Sequence, residues 1–372
     1  AITRDPKKRT RVAVVVVTSL FFVSVVVGIW KQTVAKKNEH LASVLSDARH
    51  VFEEGVALLE LNPVKGRERL TEAKSLLSPL VPQVNSRTKE GRDVTLLYDQ
   101  VNDYLTQSLQ ITEGALALFY DMELMKKGAS ATSTVLSGTT LVVADEAGAT
   151  IYALDIKTKK AQVVAGGAEL SGVSSVAAHG DFVYGLTPAG IVSMNLVDKK
   201  TTLATPKNDA WGSVSSLVSF GGNLYLLDTN KSRIWKYTAT QKGLSDLREY
   251  LNPDSLPDLS TATGMTIDGT VWVGTRSGKI LRFVQGAEET FFPKGVEPVF
   301  GTDLVAYVTD ETKHMYVLDR QNSSIVVLDK EGTYLAQYRF DSATQVTAIV
   351  VSEGEKKILL LVSGKIYSID LK

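Results

Sequence analysis

Residues 12–30 form an unbroken apolar stretch, in which none of the nineteen positions carries an Asp, Glu, Lys, Arg, His, Asn or Gln side chain. A helix of roughly 20 apolar residues spans the hydrocarbon core of a bilayer, and it satisfies its own backbone hydrogen bonds there. The pattern therefore predicts a transmembrane helix. The alternatives are a cleavable signal peptide, whose apolar part has about 7 to 15 residues, and a buried strand, which usually has about 3 to 10.

Basic residues flank this stretch unequally and predict its orientation. Five precede it and three follow closely, namely Arg4, Lys7, Lys8, Arg9 and Arg11 against Lys31, Lys36 and Lys37. This excess predicts a cytoplasmic N-terminus, with residues 1–11 as a basic tail and the remainder on the other side. We expect Arg9, Arg11, Trp30 and Lys31 to lie at the two membrane surfaces. Because the first residue is Ala1 and not Met, an upstream domain would change the count.

Residues 31–114 show the three- and four-residue spacing of apolar side chains that indicates helices. The three apolar faces consist of Leu41, Val44, Leu45, Ala48, Phe52, Val56 and Leu59, of Leu70, Ala73 and Leu77, and of Val94, Leu97, Val101, Tyr104 and Leu105. Asn62 and Pro63 are expected to cap and begin the second helix. The first two helices resemble one tetratricopeptide hairpin, but a solenoid needs several copies. A short helical stalk or bundle is the simpler interpretation.

Beyond residue 115 the helical spacing gives way to short β-rich runs that repeat along the chain. The repeats align on Leu141, Phe182, Leu224, Val271, Met315 and Ile358, which are separated by 41, 42, 47, 44 and 43 residues. Six copies at this period are typical of propeller blades of four strands each. The sequence therefore predicts a mainly β protein, in which a transmembrane helix and a helical stalk precede a six-bladed β-propeller at residues 115–372.

The order of strands within a blade follows from the side chains. A run of small and hydroxyl residues precedes each repeated phrase, and we assign it to the innermost strand, where the blades crowd together. The last phrase is followed by no outer strand in this sequence, which would leave an exposed edge. Residues 119–127 have no other role in the repeat. We therefore predict that they close the last blade by pairing with residues 365–371.

Composition narrows the range of partners. Lys plus Arg and Asp plus Glu number 41 each, so no overall positive charge is present to hold nucleic acid. The absence of cysteine excludes disulfides, zinc–thiolate sites and a thiol nucleophile. We expect the bilayer and a protein or small-molecule ligand as partners, and no nucleic acid.

Residues 115–372 resemble six-bladed propellers of the broad NHL, lactonase-like type, although the WD dipeptide and a regular kelch signature are absent. The layout of basic tail, apolar span, NP-containing helical hairpin and propeller is similar to the C-terminal half of membrane proteins that carry a PPM-type serine/threonine phosphatase domain before the span. The phrases FEEGVALLELNP and FYDMELMKKG carry this second resemblance. It implies a cytoplasmic phosphatase upstream of Ala1, whose metal-binding aspartates are not in this sequence.

Catalytic motifs are scarce. Lactonase-like propellers hold an axial divalent cation with several oxygen ligands, yet Asp303 is the only carboxylate in the six inner runs. Carboxylates that recur at strand ends beside turns, where turn hydrogen bonding is the expected role, are Asp145, Asp155, Asp228, Asp319 and Asp329. The four histidines, His40, His50, His179 and His314, lack zinc spacing. We therefore predict no catalytic residue, metal or cofactor, and no enzymatic activity, in this chain.

Binding is instead expected on two long loops between blades. They contain Asp209 and Trp211, and Asp254, Pro257 and Asp258. Exposed aromatic or charged loop residues on a rigid scaffold are frequent binding sites, although Trp211 also suits packing between blades. The resulting hypothesis is a single-pass, extracytoplasmic propeller that binds protein or ligand, as the sensor half of a receptor-like PPM-type phosphatase. The alternatives are a metal-dependent propeller hydrolase or lactonase and a structural scaffold of an envelope assembly.

Overall fold

The computed structural model describes residues 24, 32, 39–240, 243–296, 298–341 and 345–372. The predicted span at residues 12–30 falls outside this part of the chain except for Ser24, and so do Arg9, Arg11, Trp30 and Lys31. Among the described residues, no helix combines the length and the apolar character that crossing a bilayer requires. The chain divides into two compact units, Ala1–Ser108 and Leu109–Lys372.

The first unit is helical. Its described helices are α1 (39–59), α2 (Pro63–Leu77) and α3 (Lys89–Ser108). The Asn62 side chain accepts a hydrogen bond from the backbone N–H of Lys65 at 3.1 Å, and Pro63 occupies the first turn of α2, so both predicted roles are confirmed. The apolar faces meet in one core, where Leu70 and Val94 are fully buried. Because the helix pair occurs once, the unit gives no support to the tetratricopeptide resemblance.

The second unit is a six-bladed β-propeller, as predicted, with one sheet per blade among the described residues. Blade 1 consists of β3 (Ser133–Ser137), β4 (Thr140–Asp145), β5 (Thr150–Asp155) and β6 (Ala161–Gly166). Blade 2 consists of β7 (Ser175–His179), β8 (Phe182–Thr187), β9 (Gly190–Asn195) and β10 (Thr201–Pro206). Blade 3 consists of β11 (Val214–Phe220), β12 (Asn223–Asp228), β13 (Arg233–Thr240), β14 (Gly243–Leu244) and β15 (Arg248–Glu249).

The remaining blades follow the same order from the axis outwards. Blade 4 consists of β16 (Ala262–Ile267), β17 (Val271–Thr275), β18 (Ile280–Val284) and β19 (Ala287–Glu289). Blade 5 consists of β20 (Leu304–Tyr307), β21 (Met315–Asp319), β22 (Ser324–Leu328) and β23 (Tyr334–Arg339). Blade 6 consists of β24 (Ala348–Ser352), β25 (Lys357–Val362) and β26 (Lys365–Asp370), together with β2 (Ala117–Asp121) from the start of the unit.

Strand β2 completes the sixth sheet by antiparallel pairing with β26, from Ala117 opposite Ser368 to Asp121 opposite Lys365. The closing strand thus lies where the sequence led us to expect it, but it spans Ala117–Asp121 and not 119–127. Residues Met122–Leu124 form a turn of 3-10 helix, which begins where the Asp121 side chain accepts a hydrogen bond from Glu123 N–H at 3.0 Å.

A further strand, β1 (Ile111–Glu113), was not expected from the sequence. It pairs in parallel with the outer strand β23 of blade 5, so the segment that enters the propeller contacts blade 5 before it completes blade 6. Between these two blades, the apolar side chains of Leu318, Ile349 and Leu360 pack in one buried cluster.

Candidate functional site

The six inner strands β3, β7, β11, β16, β20 and β24 surround an axial channel with a volume of about 590 Å³. Each inner strand pairs with the rest of its sheet on one side only, so its other edge presents backbone N–H and C=O groups towards the axis. Small side chains such as Gly264, Ala306 and Ala348 line the channel and keep it open. This confirms that the runs of small residues belong to the innermost strands.

Hydroxyl groups on the inner strands tie neighbouring blades together. Backbone N–H groups of Val176 and Leu217 donate to Ser133 Oγ and Ser175 Oγ across two blade junctions, at 3.2 and 2.9 Å. Thr263 Oγ1 instead donates, to the carbonyl of Leu304 in the next blade. The hydroxyl-rich composition of these strands therefore has a structural cause as well as the crowding inferred from the sequence.

Other hydroxyls remain available to a ligand. Ser174 and Ser216 line the channel, and their side chains make no hydrogen bond to other described residues. Together with the strand edges, they give the channel many neutral donors and acceptors. A site of this composition suits a small polar molecule without a net charge.

Charged groups are confined to one end of the channel, formed by His179, Asp310 and Glu311, which we call the charged mouth. These residues lie at or beyond the ends of β7 and β20. Because each blade has four antiparallel levels from the axis to the rim, with β14 and β15 both pairing with β13 in blade 3, each inner strand starts at the same face of the ring and ends at the other. The histidine and the two carboxylates therefore share one face, in blades 2 and 5, on opposite sides of the axis.

Asp303, the carboxylate singled out from the inner runs, does not line the channel. It precedes β20 with a left-handed backbone (φ 62°), and its Oδ1 accepts a hydrogen bond from Arg320 Nη1 at 2.9 Å. The same guanidinium donates through Nε to the carbonyl of Val346 in blade 6 at 2.8 Å. Asp303 therefore orients Arg320 across a blade junction.

The recurrent aspartates have the turn-stabilising role that the sequence suggested. Asp145, Asp228 and Asp319 end the second strand of blades 1, 3 and 5 and are at most 1% exposed. Each accepts backbone N–H bonds from the turn that follows, such as Gly148 N–H to Asp145 at 2.9 Å. The equivalent positions in blades 2 and 4 are Thr187 and Thr275. Their hydroxyls donate to the carbonyls of Gly190 and Lys279, respectively, at the corresponding turns of their own blades. Asp155 and Asp329 likewise accept bonds from the turns beside them.

Asp228 is the most heavily bonded of these carboxylates. It accepts hydrogen bonds from Trp235 Nε1 at 3.0 Å and from the backbone N–H groups of Gly212, Ser213 and Lys231 at 2.6, 3.1 and 3.1 Å. Burial by itself would raise the pKa of Asp228, but these donors hold it below its ordinary value. The charge is thus used to join the loop before β11 to the turn after β12.

The predicted loop residues do not lie on the channel. Asp209, Asp254 and Asp258 are exposed, whereas Trp211 is only 6% exposed. The Trp211 ring meets the Tyr237 ring edge-on with centroids 6.2 Å apart, inside an apolar cluster shared by blades 2 and 3. This burial supports the packing role of Trp211. The three aspartates remain candidates for binding at the surface.

The donor set does not fit a bound divalent cation. Among the described residues, no group of three or more His, Cys, Asp or Glu side chains is close enough to hold a metal ion. The carboxylates of the channel are Asp310 and Glu311, both at the charged mouth.

The charged mouth was not predicted from the sequence. His179 was noted only among the histidines that lack zinc spacing, and Asp310 and Glu311 were not singled out. A usable signal was their position at or shortly after the end of an inner strand, because such residues surround the axis in a propeller. Blades 2 and 5 face each other across the axis only because the ring is closed, and the order of blades along the chain does not show this.

A second polar cluster lies at the junction of blades 5 and 6. Glu353 accepts hydrogen bonds from the backbone N–H groups of Lys313 and His314 at 3.0 and 3.1 Å and from the Tyr316 hydroxyl at 3.0 Å. His314 Nδ1 lies 3.2 Å from the same carboxylate. Burial would raise the pKa of Glu353, but the hydrogen bonds keep it below its ordinary value. Burial and the Glu353 charge raise the pKa of Tyr316.

No protein-family model matches the sequence, and no curated protein matches it either. Among solved structures, the chain is similar to a gluconolactonase from Xanthomonas campestris, with 13% identity and a TM-score of 0.51 over 72% of this chain and 92% of that chain. It is also similar to virginiamycin B lyase from Staphylococcus aureus, with 14% identity and a TM-score of 0.45 over 70% and 89% of the two chains. Regucalcin, a calcium-binding protein from Agrobacterium tumefaciens, shares 12% identity and a TM-score of 0.47 over 70% and 95%.

The similarity to the gluconolactonase supports the propeller fold and places a lactonase among the structural neighbours of this chain. It also corrects one prediction. The expectation that this chain is not an enzyme is wrong as an inference from its sequence, because it rested on missing motifs and the same fold carries a gluconolactonase. At this level of identity the likeness is one of fold.

Proposed function

We propose that the propeller holds a small, neutral, hydroxyl-bearing molecule in its axial channel. The observation that carries the proposal is the lining of the channel, which combines backbone groups at the inner-strand edges with the hydroxyls of Ser174 and Ser216. Neutral donors and acceptors in a concave site bind polar molecules without the cost of burying a charge. The volume of about 590 Å³ lies within the range of small-molecule sites.

Turnover of the bound molecule is the enzymatic form of this proposal. The comparison that favours it is the fold shared with a gluconolactonase, whose name points to opening of a cyclic sugar ester. In this chain the groups able to exchange protons at the channel are His179, Asp310 and Glu311, all at the charged mouth. We therefore propose lactone opening, without a metal-dependent step, as the first reaction to assay.

The remaining expectations from the sequence are also proposals. A membrane-anchored, extracytoplasmic propeller would present its channel to external solutes, and the apolar stretch at residues 12–30 supports that placement. A role as the sensor half of a receptor-like PPM-type phosphatase is supported only by the sequence layout. Protein binding through the exposed loop aspartates, Asp209, Asp254 and Asp258, is supported by their exposure.

The test uses a variant that fills the channel. A Cβ atom added at Gly264 meets no atom within 4 Å, and Gly264 lines the channel, so Gly264→Phe projects a ring into open space. Gly354 has equally open surroundings but lies in the turn after β24, away from the channel lining, so Gly354→Phe is the matched control.

The measurement is saturation-transfer NMR with D-glucono-1,5-lactone and D-glucose, together with the rate of lactone opening above the spontaneous rate. We expect transfer to at least one of the two probes with the unsubstituted protein and with Gly354→Phe, and none with Gly264→Phe. Absence of binding by the unsubstituted protein, or binding that survives Gly264→Phe, would overturn the axial site. Binding without lactone opening would retain the site and remove the reaction.

A further inference from the structure

The segment that leads into the propeller pairs with strands of two neighbouring blades. Residues 110–114, which we call the strap, include β1 and lie along the outer strand of blade 5, with Ile111, Thr112 and Glu113 opposite Gln337, Tyr338 and Arg339. The next strand, β2, completes blade 6. The strap therefore crosses the junction between blades 5 and 6 on its outer side.

The attachment of the strap is short and shallow. The Gln110 carbonyl accepts a hydrogen bond from Gln337 N–H at 3.0 Å, and Gly114 N–H donates to the Arg339 carbonyl at 2.7 Å. The paired strand has three residues, none of which is fully buried. Parallel pairing is also slightly less stable per residue than antiparallel pairing.

The closing strand β2 is held more firmly. Its Phe119 side chain is 6% exposed and packs in the cluster between blades 6 and 1, where Met122 beside it is 1% exposed. Segments with few buried apolar contacts open locally before the core does. The strap is therefore the weaker of two consecutive attachments.

The junction that the strap crosses also forms part of the channel wall. On the blade 5 side, Ala306 and Tyr307 line the channel, and on the blade 6 side Thr347 and Ala348 do so. Arg320 of blade 5 donates to the carbonyls of Val346 and Thr347 at 2.8 and 3.3 Å and holds the inner side of the junction. The strap holds its outer side.

We propose that the strap is a releasable latch, which detaches from β23 while β2 stays paired with β26. Detachment frees the outer edge of blade 5 and removes the strap from the outer side of the junction of blades 5 and 6. This device goes beyond the proposed function and does not depend on it.

Two proline variants separate the pairing from other effects. Alternate residues of a parallel strand bond to a given neighbour. Because Gln110 and Gly114 bond to blade 5, Thr112 between them directs its backbone N–H towards β23, and Glu113 directs its N–H away. Proline tolerates an extended backbone at an edge whose N–H faces solvent. Thr112→Pro therefore removes a bond to β23, and Glu113→Pro is the matched control.

The measurement is hydrogen–deuterium exchange followed by mass spectrometry. In the unsubstituted protein, we expect amides of residues 111–114 to exchange at least about tenfold faster than those of 117–121. Thr112→Pro is expected to speed exchange in residues 337–339 by about fivefold to tenfold, the effect of losing about 1 kcal/mol, with β26 unchanged. Glu113→Pro is expected to leave both regions as they are.

Equal exchange in 111–114 and 117–121 would overturn the latch, because the two strands would then open as one unit. Equal effects of the two prolines on residues 337–339 would also overturn it. If Thr112→Pro fails to fold, the comparison of the two strands in the unsubstituted protein decides the question by itself.

Discussion

Replacing Asp228 with alanine should destabilise the propeller strongly. The carboxylate is fully buried and accepts four hydrogen bonds, from Trp235 Nε1 and from the backbone N–H groups of Gly212, Ser213 and Lys231. Alanine leaves these donors without an acceptor. With a net loss of about 1 kcal/mol for each donor, the free energy of unfolding should fall by about 4 kcal/mol.

Two further variants calibrate this value. Asp228→Thr copies Thr275, which occupies the equivalent position in blade 4 and whose hydroxyl oxygen accepts a hydrogen bond from Lys279 N–H at 3.0 Å. It should recover about 1 kcal/mol and leave a loss of about 3 kcal/mol, because one of the four donors regains an acceptor. Asp209→Ala alters an exposed carboxylate and should stay within about 0.5 kcal/mol of the unsubstituted protein.

The assay is equilibrium unfolding in urea, followed by circular dichroism of the β-sheets. A loss below about 1 kcal/mol for Asp228→Ala would show that water replaces the carboxylate at little cost, and it would refute the reasoning from buried donors. A loss for Asp209→Ala equal to that for Asp228→Ala would refute it as well, because burial would then not decide the effect.

Two other substitutions test the remaining parts of the structure. The pKa of Glu353 is lower in the folded state than in the unfolded state. The Glu353 carboxylate therefore stabilises the fold above its unfolded pKa, and this stabilisation is lost as the pH falls through its folded pKa. Glu353→Gln should flatten the loss of stability between about pH 5 and 3, measured by urea unfolding at each pH. In the helical unit, a Cβ atom at Gly66 would lie 2.8 Å from Leu59 N. Gly66→Ala should therefore lower the free energy of unfolding of this unit by about 1 to 3 kcal/mol, despite the higher helix propensity of alanine. An increase in the free energy of unfolding would contradict the close contact.

The repeat made the propeller predictable, because each blade uses the same order of small, apolar and turn residues. The recurrence of Asp145, Asp228 and Asp319 also indicated their role, since a carboxylate beside a turn has backbone N–H groups within reach. Their alternation with Thr187 and Thr275 appears only when the blades are superposed in order around the ring.

Other features depend on contacts between distant parts of the chain. Residues Ile111–Glu113 carry too short a strand pattern to be recognised, and their partner β23 lies more than two hundred residues away. Trp211 resembled a binding residue in a long loop, but its ring is buried between blades. His179 lies at the same end of the channel as Asp310 and Glu311 only because the ring of blades is closed.

The most direct test of the axial site is a crystal structure of the propeller soaked with D-glucono-1,5-lactone. Our account predicts bound lactone or its ring-opened product inside the channel, in hydrogen-bond contact with inner-strand edges or with Ser174 and Ser216. An empty channel at saturating lactone, or a ligand bound instead beside Asp209, Asp254 and Asp258, would contradict it.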